Sequence, residues 1–278
     1  MSRHRYRCPL RWGDMDAQGH VNNAAYVDYL QEARVDFLLS SPPPLHQMLT
    51  SGSLVISHQV EYLLPLQTLG HRALDIDLWV DSVGASRFVI GYELIDGEAL
   101  AGRARTALVP YDLATDSLRR LTDQERAVLS AKLAPAEPLR PVPKVTLNGN
   151  GYIHPLRVRW SDLDSYGHVN NVKYYDYVQE ARLALFSDTL GWPAEDTKDQ
   201  VWAVVRQDVE YLQPMDFRQD PYQVGTIVSG IGNRSITLEA EIRDPLLQTV
   251  HATARTVVVG PDPFTESQRN AFGAWLSR

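Results

Sequence analysis

Residues 11–34 read RWGDMDAQGHVNNAAYVDYLQEAR, and residues 159–182 read RWSDLDSYGHVNNVKYYDYVQEAR. The two stretches lie 148 residues apart and agree at 16 of 24 positions, where unrelated segments of ordinary composition agree at about one or two. Weaker echoes follow: Val60-Glu61-Tyr62-Leu63 against Val209-Glu210-Tyr211-Leu212, and Ala104-Arg105-Thr106 against Ala254-Arg255-Thr256. The offset drifts by one or two residues, as loop insertions would cause. A period this long is duplication of a whole domain, because solenoid repeats run about 20–50 residues.

Working outward from the repeat, each half begins with an alternating segment. Tyr6, Cys8, Leu10 and Trp12 fall on one side and Arg5, Arg7 and Arg11 on the other; Leu156, Val158 and Trp160 repeat the pattern against Arg157 and Arg159. Period two predicts a half-buried strand. A polar loop follows, and Asn22-Asn23 supplies acceptors for a helix N-terminus. Tyr26, Leu30, Ala33 and Phe37, and later Tyr174, Val178, Ala181 and Leu185, recur at helical spacing. Everything after that helix reads as strand: Leu74, Ile76, Leu78 and Val80 alternate with Asp75, Asp77, Trp79 and Asp81, then Phe88, Ile90, Tyr92 and Leu94 alternate in turn. Residues 101–109 and 249–259 read as final strands. The expected class is α+β, each half a long helix wrapped by an antiparallel sheet of about five strands. Two such units pairing within one chain would mimic a dimer of the ancestral domain.

The boundaries follow from capping and breaker signals. Thr122-Asp123-Gln124-Glu125 resembles a capping box opening a helix to about Leu133, and Thr265-Glu266-Ser267-Gln268 caps a last helix to about Leu276. Between the halves, PAEPLRPVP over residues 135–143 resists both helix and central strand. NGNG over residues 148–151 then marks a turn. The expected domains are 1–134 and 151–278, joined by a linker over 135–150.

Composition excludes several classes. In 278 residues, 44% are hydrophobic and 22% charged, an ordinary globular balance, and a net charge of −7 gives no support to nucleic-acid binding. One cysteine, Cys8, forms no internal disulfide, and on the apolar side of its strand it reads as core. No apolar run approaches the ~18 residues of a membrane span, and none follows the basic first residues as a secretory signal would require. The default expectation is a cytoplasmic protein.

The densest polar cluster is Asp14-x-Asp16-x-x-Gly19-His20-Val21-Asn22-Asn23, repeated as Asp162-x-Asp164-x-x-Gly167-His168-Val169-Asn170-Asn171. It lies between a strand and the N-terminus of the main helix, where backbone N–H groups and the helix dipole stabilise negative charge on a carbonyl oxygen. Glycine there permits close approach, and a carboxylate upstream can activate water or attack the carbonyl. These parts suit acyl transfer to water. Capping alone explains an acidic residue and Asn-Asn equally well; carboxylate, glycine, histidine and asparagine together favour function.

The D-x-D-x-x-G-H-V-N-N-x-x-Y…E-A-R stretch resembles the hotdog-fold thioesterases of the 4-hydroxybenzoyl-CoA thioesterase type, and the resemblance covers both halves. The second copy is also similar to plant-type acyl-ACP thioesterases, themselves tandem hotdogs. The resemblance implies a tandem hotdog that hydrolyses an acyl-CoA or acyl-ACP thioester at the seam between paired units. It places the catalytic carboxylate at Asp16 and Asp164, with His20 and His168 joining in the acyl-ACP type. Backbone amides at the helix start, around Gly19, Val21, Asn22, Asn23, Gly167, Val169, Asn170 and Asn171, would bind and polarise the thioester. The acyl-ACP type carries a functional asparagine two residues after the aspartate; Gln18 and Tyr166 stand there instead, which favours the simpler aspartate-plus-amide scheme.

Arg87 and Arg234 are candidates for the phosphates of CoA, with Arg105, Arg255 and Lys173 as weaker ones. Asp14, Asp16 and His20 lack the further His or Cys of a metal site, so neither a metal nor a cofactor is expected beyond CoA as part of the substrate. Glu61 and Glu210 read as a solvated strand face. Two alternatives stay open: a non-catalytic acyl-thioester-binding hotdog, and a hydratase-type hotdog whose Asn-Pro before the histidine is absent here. Assembly of further chains into a homo-oligomer also stays open.

Overall fold

The duplicated segments fold into duplicated architecture. The computed structural model describes residues 3–67, 73–134, 136–140, 147, 151–191 and 202–276. The chain divides into two units, Met1–Arg140 and Pro141–Arg278. Residues 135, 141–146 and 148–150 of the expected linker lie outside the described residues.

In the first unit, strand β1 (His4–Pro9) leads through a 3-10 turn (Trp12–Asp14) and a polar loop into helix α1 (Ala25–Leu39), followed by short helices α2 (Pro43–His46) and α3 (Met48–Ser51). Strands β2 (Ser53–Tyr62), β3 (Ala73–Val83), β4 (Phe88–Asp96) and β5 (Ala99–Asp112) come next, then β6 (Ser117–Leu118) and helix α4 (Asp123–Ala131). The strands form an antiparallel sheet in the order β1-β3-β4-β5-β2. Register shifts in β2 between Val55 and Ser57 and in β3 between Val80 and Ser82 add local twist. On α1 the buried face is Tyr26, Val27, Tyr29, Leu30, Ala33, Arg34, Phe37 and Leu38, two adjoining rows at helical spacing. Leu74, Ile76, Leu78, Val80, Phe88, Ile90 and Tyr92 of the sheet are fully buried.

The second unit repeats this with β7 (Tyr152–Leu156), a 3-10 turn (Trp160–Asp162), α5 (Lys173–Leu190), β8 (Ala203–Tyr211), β9 (Tyr222–Ile231), β10 (Ser235–Asp244), β11 (Thr249–Val259) and α6 (Glu266–Gly273). Its sheet order is β7-β9-β10-β11-β8, the same arrangement element for element. Leu185 and Phe186 of α5 pack with Val228, Ile236, Leu238 and Val258 of the sheet and with Phe272 of α6. Each such side chain contributes about 1.5–3 kcal/mol by leaving water. Each unit is therefore a hotdog, and the chain is a tandem of two.

The capping boxes at Thr122/Glu125 and Thr265/Gln268 form in both directions. The helices they open end earlier than expected, at Ala131 and Gly273, because Leu133 and Leu276 leave the helix to bridge Val80 and Val228.

One local reading needs correction. The first-strand alternation does not extend to Trp12 and Trp160, which are 83% and 72% exposed because each opens a 3-10 turn beyond the strand. The second side of β3 is covered as well. Trp79 is buried beneath the guanidinium groups of Arg3 and Arg105, at 4.2 and 5.1 Å from its ring, and Asp77 is buried against Arg5. Periodicity registers only the apolar face; here a charged layer covers the other. Among the described residues, no helix is long and apolar enough to cross a membrane.

Candidate functional site

Asp16 and His20 bracket a tight loop at the foot of α1. The Asp16 amide donates to the His20 carbonyl at 2.7 Å and the Gly19 amide to the Asp16 carbonyl at 3.2 Å. Gly19 takes φ +78°, which a side chain would resist. An isolated antiparallel bridge joins Met15 to Val21 and closes the loop. Asp16 Oδ1 accepts the amides of Gln18 at 2.8 Å and His20 at 3.1 Å. Among the described residues Oδ2 has no hydrogen-bond partner, and Asp16 as a whole is half-buried. The loop thus presents a carboxylate whose orientation is fixed by backbone and whose second oxygen is available.

The second unit repeats the device. The Asp164 amide donates to the His168 carbonyl at 2.8 Å and the Gly167 amide to the Asp164 carbonyl at 3.1 Å. Gly167 has φ +82° and Leu163 bridges Val169. Asp164 Oδ1 accepts the Tyr166 amide at 2.8 Å.

The first aspartate of each pair ties the loop to the helix. Tyr29 Oη donates to Asp14 Oδ2 at 2.7 Å, and the Asn22 amide donates to the Asp14 carbonyl at 2.8 Å. Tyr177 Oη donates to Asp162 Oδ2 at 2.7 Å, and that oxygen also accepts the Arg159 amide at 2.8 Å. Burial first, then the bond to the carboxylate, push both phenols far above their ordinary range. Sequence reasoning missed both tyrosines, since Tyr29 and Tyr177 fall outside the helical-spacing rows it singled out and their partners lie 15 residues away.

Asn22 and Asn170 are not the helix caps, which are Ala24 and Val172 without a side-chain cap bond; their side-chain oxygens instead close turns just ahead of the helices, accepting the amides of Ala24 at 2.9 Å and Val172 at 3.2 Å. The carbonyls of Asn23 and Asn171 accept Tyr62 Oη at 3.0 Å and Tyr211 Oη at 2.8 Å.

These bonds revise the amide scheme. Val21 donates its amide to Leu66 O at 2.8 Å, Val169 to Met215 O at 2.9 Å, and Asn170 to Asp162 O at 2.8 Å. Together with Gly19, Gly167 and Asn22, these amides are engaged within the protein and shape the loop rather than face a ligand. What the helix start still offers is the positive end of its dipole.

His20 and His168 are half-buried members of the same loops. His168 Nε2 lies 3.8 Å from Asp216 Oδ1, within ion-pair reach and beyond a hydrogen bond. Arg87 and Arg234 are exposed and sit at or beside the β3–β4 and β9–β10 turns. The Asp16 loop follows the end of β1 that pairs with the start of β3, at Pro9 and Ala73. Arg87 lies past the other end of β3, on the order of 30 Å away along the strand. By the same register Arg234 lies past the far end of β9 from the Leu156–Tyr222 pair. Within a unit, then, neither arginine joins the aspartate.

Arg105 and Arg255 are occupied by Asp81 at 3.2 Å and Glu239 at 3.3 Å, and Lys173 by Asp176 at 3.1 Å. Burial pushes the Cys8 thiol up to about 12, so it holds no thiolate nucleophile at neutral pH. Glu61 and Glu210 are half-buried rather than fully solvated. Among the described residues no group of three or more His, Cys, Asp or Glu side chains is placed to hold a metal.

Residues 10–145 and 158–270 match the family described as the thioesterase-like superfamily. The 12:0-ACP thioesterase from Umbellularia californica superposes with a TM-score of 0.70 at 16% identity, covering 92% of this chain and 94% of that one. An acyl-ACP thioesterase from Bacteroides thetaiotaomicron gives 0.69 at 13% identity, covering 92% and 97%. At such identities the likeness is one of fold. The uncharacterized protein YsmA of Bacillus subtilis is 33% identical over 88 residues, 31% of this chain; the match spans 57% of that curated relative's length.

Proposed function

Because this chain belongs to the thioesterase-like superfamily, we propose that it hydrolyses an acyl thioester to free acid and thiol, with Asp16 and Asp164 as the working carboxylates. The observation that carries this reading is the loop itself. In each unit it turns a half-buried aspartate at the foot of the central helix and fixes one carboxylate oxygen on backbone amides.

As general base the carboxylate takes a proton from water while the hydroxide oxygen bonds the thioester carbon; the C–S bond then breaks and the thiolate receives the proton. As nucleophile it bonds the acyl carbon directly, expels the thiolate, and the resulting anhydride is opened by water. In either route the positive end of the helix dipole favours the oxyanion. His20 and His168, on the same loops, are assigned to proton transfer. We favour CoA as carrier, since a chain of net charge −7 gains nothing from an acidic carrier protein.

The test is thiol release from acyl-CoAs of graded length and aromatic character, with the matching acyl-ACPs alongside. Turnover of at least one series supports the reading. A folded protein that releases no thiol from either carrier refutes it.

A further inference from the structure

The interior of the first unit contains a charge without a counter-charge. Arg34 lies on the buried face of α1 and is 6% exposed. Its Nη1 is fully buried with no hydrogen-bond partner, and no carboxylate among the described residues pairs with it. Its charge acts on His58 of β2, fully buried, whose Nδ1 lies 2.9 Å from Thr106 Oγ1 on β5. Burial and the Arg34 charge hold that imidazole well below its ordinary pKa, hence neutral. Tyr92 of β4 faces the same layer, one cross-strand row away, and its buried hydroxyl also has no partner.

A water molecule satisfies a stray hydroxyl. It does not offset a guanidinium, which stays charged and whose burial without a partner costs several kcal/mol. An electropositive interior of this kind is what an anion would complete. Position narrows the anion further. Arg34 is nine residues from Ala25, about 14 Å along the helix from its start. His58 is four residues from Tyr62, whose hydroxyl meets the Asn23 carbonyl, about 13 Å along the strand. Both elements place the cluster one extended chain-length from the Asp16 loop.

We propose that Arg34, His58 and Thr106 form a buried anion site that takes a carboxylate carried at the far end of the acyl group. The acyl assignment rests on the thioesterase reading above. The second unit has Arg182 at the equivalent helical position, but Gln207 and Ala240 replace His58 and Tyr92, so the site is assigned to the first unit.

The experiment uses the full chain, wild type beside Arg34→Met and Arg34→Lys. Thiol release is compared for ω-carboxyacyl-CoAs and unsubstituted acyl-CoAs of equal length, and thermal midpoints are recorded with free dicarboxylates. Wild type is expected to prefer the ω-carboxyacyl series by about tenfold or more in kcat/KM, the strength of a charge-assisted contact. Arg34→Lys retains part of that preference and Arg34→Met brings it to about one. Free dicarboxylates raise the midpoint of wild type and not of Arg34→Met.

Absence of both the preference and the midpoint rise in wild type overturns the proposal without requiring any variant to fold. A midpoint rise without acyl preference overturns the acyl assignment and leaves a site for a free carboxylate. No thiol from any thioester, with an Arg34-dependent midpoint rise retained, sinks the hydrolase reading and leaves the anion site standing.

Discussion

Replacing Tyr177 by Phe removes one oxygen and leaves the ring in place. That oxygen donates at 2.7 Å to Asp162, which is 7% exposed and has the Arg159 amide as its other partner on the same carboxylate oxygen. The lost interaction is a hydrogen bond to a charged group, about 1.5–3 kcal/mol, and burial keeps water from replacing it. In thermal terms this is roughly 3–12 °C for a domain of this size. Tyr29→Phe deletes the matching bond to Asp14, but Asp14 is only half-buried, so water recovers part of the loss. The ordering is therefore Tyr177→Phe well above Tyr29→Phe. Urea unfolding with unchanged m measures it. A loss under about 0.5 kcal/mol for Tyr177→Phe, or a larger loss for Tyr29→Phe, would refute the idea that these straps fix the loops.

Other consequences concern pH and the loop glycines. Asp244 is held at about 2, chiefly by the hydrogen bond from Arg218. Its folded pKa lies below its unfolded one, so it stabilises above about pH 4, and that contribution fades as pH falls toward 2. Asp244→Asn should flatten this limb of an acid-unfolding curve. Glu239 goes the other way, pushed up to about 7 by burial, with Arg255 and Ser229 opposing. Stability should fall as pH rises from about 4.5 to 7, and Glu239→Gln should remove that slope in melts recorded across the range. Gly19→Ala and Gly167→Ala meet no steric obstacle but force a side chain into left-handed backbone, costing about 1–2 kcal/mol. Calorimetry checks the stability, and kcat should fall with it as the aspartates shift.

Much of this fold was legible because it rests on periodicity and duplication. The helical spacing of Tyr26, Leu30, Ala33 and Phe37 and the alternation of Leu74 through Val80 reflect burial on one face, and the structure buries those residues. The buried layers on the other side were not legible. Trp79 under two arginines and Asp77 against Arg5 involve partners distant in the chain, and a local pattern carries no information about them. Within the candidate site, the sequence located the loop but not its wiring. Nothing in the Gly-His-Val-Asn-Asn run shows that the Val21 amide goes to Leu66 or that Tyr62 reaches Asn23. The placement of Arg87 was equally hidden, because it depends on which end of β3 pairs with the end of β1 that leads into the Asp16 loop.

The most direct measurement is thiol release by wild type, Asp16→Asn, Asp164→Asn and the double variant on the preferred thioester. Asparagine keeps an acceptor oxygen for the Gln18, His20 and Tyr166 amides while removing the base, so the fold should persist. The account predicts a loss of at least about 100-fold in kcat for the double variant, the scale of general-base catalysis. The single variants then divide the activity between the two loops. A folded double variant with undiminished turnover would contradict it.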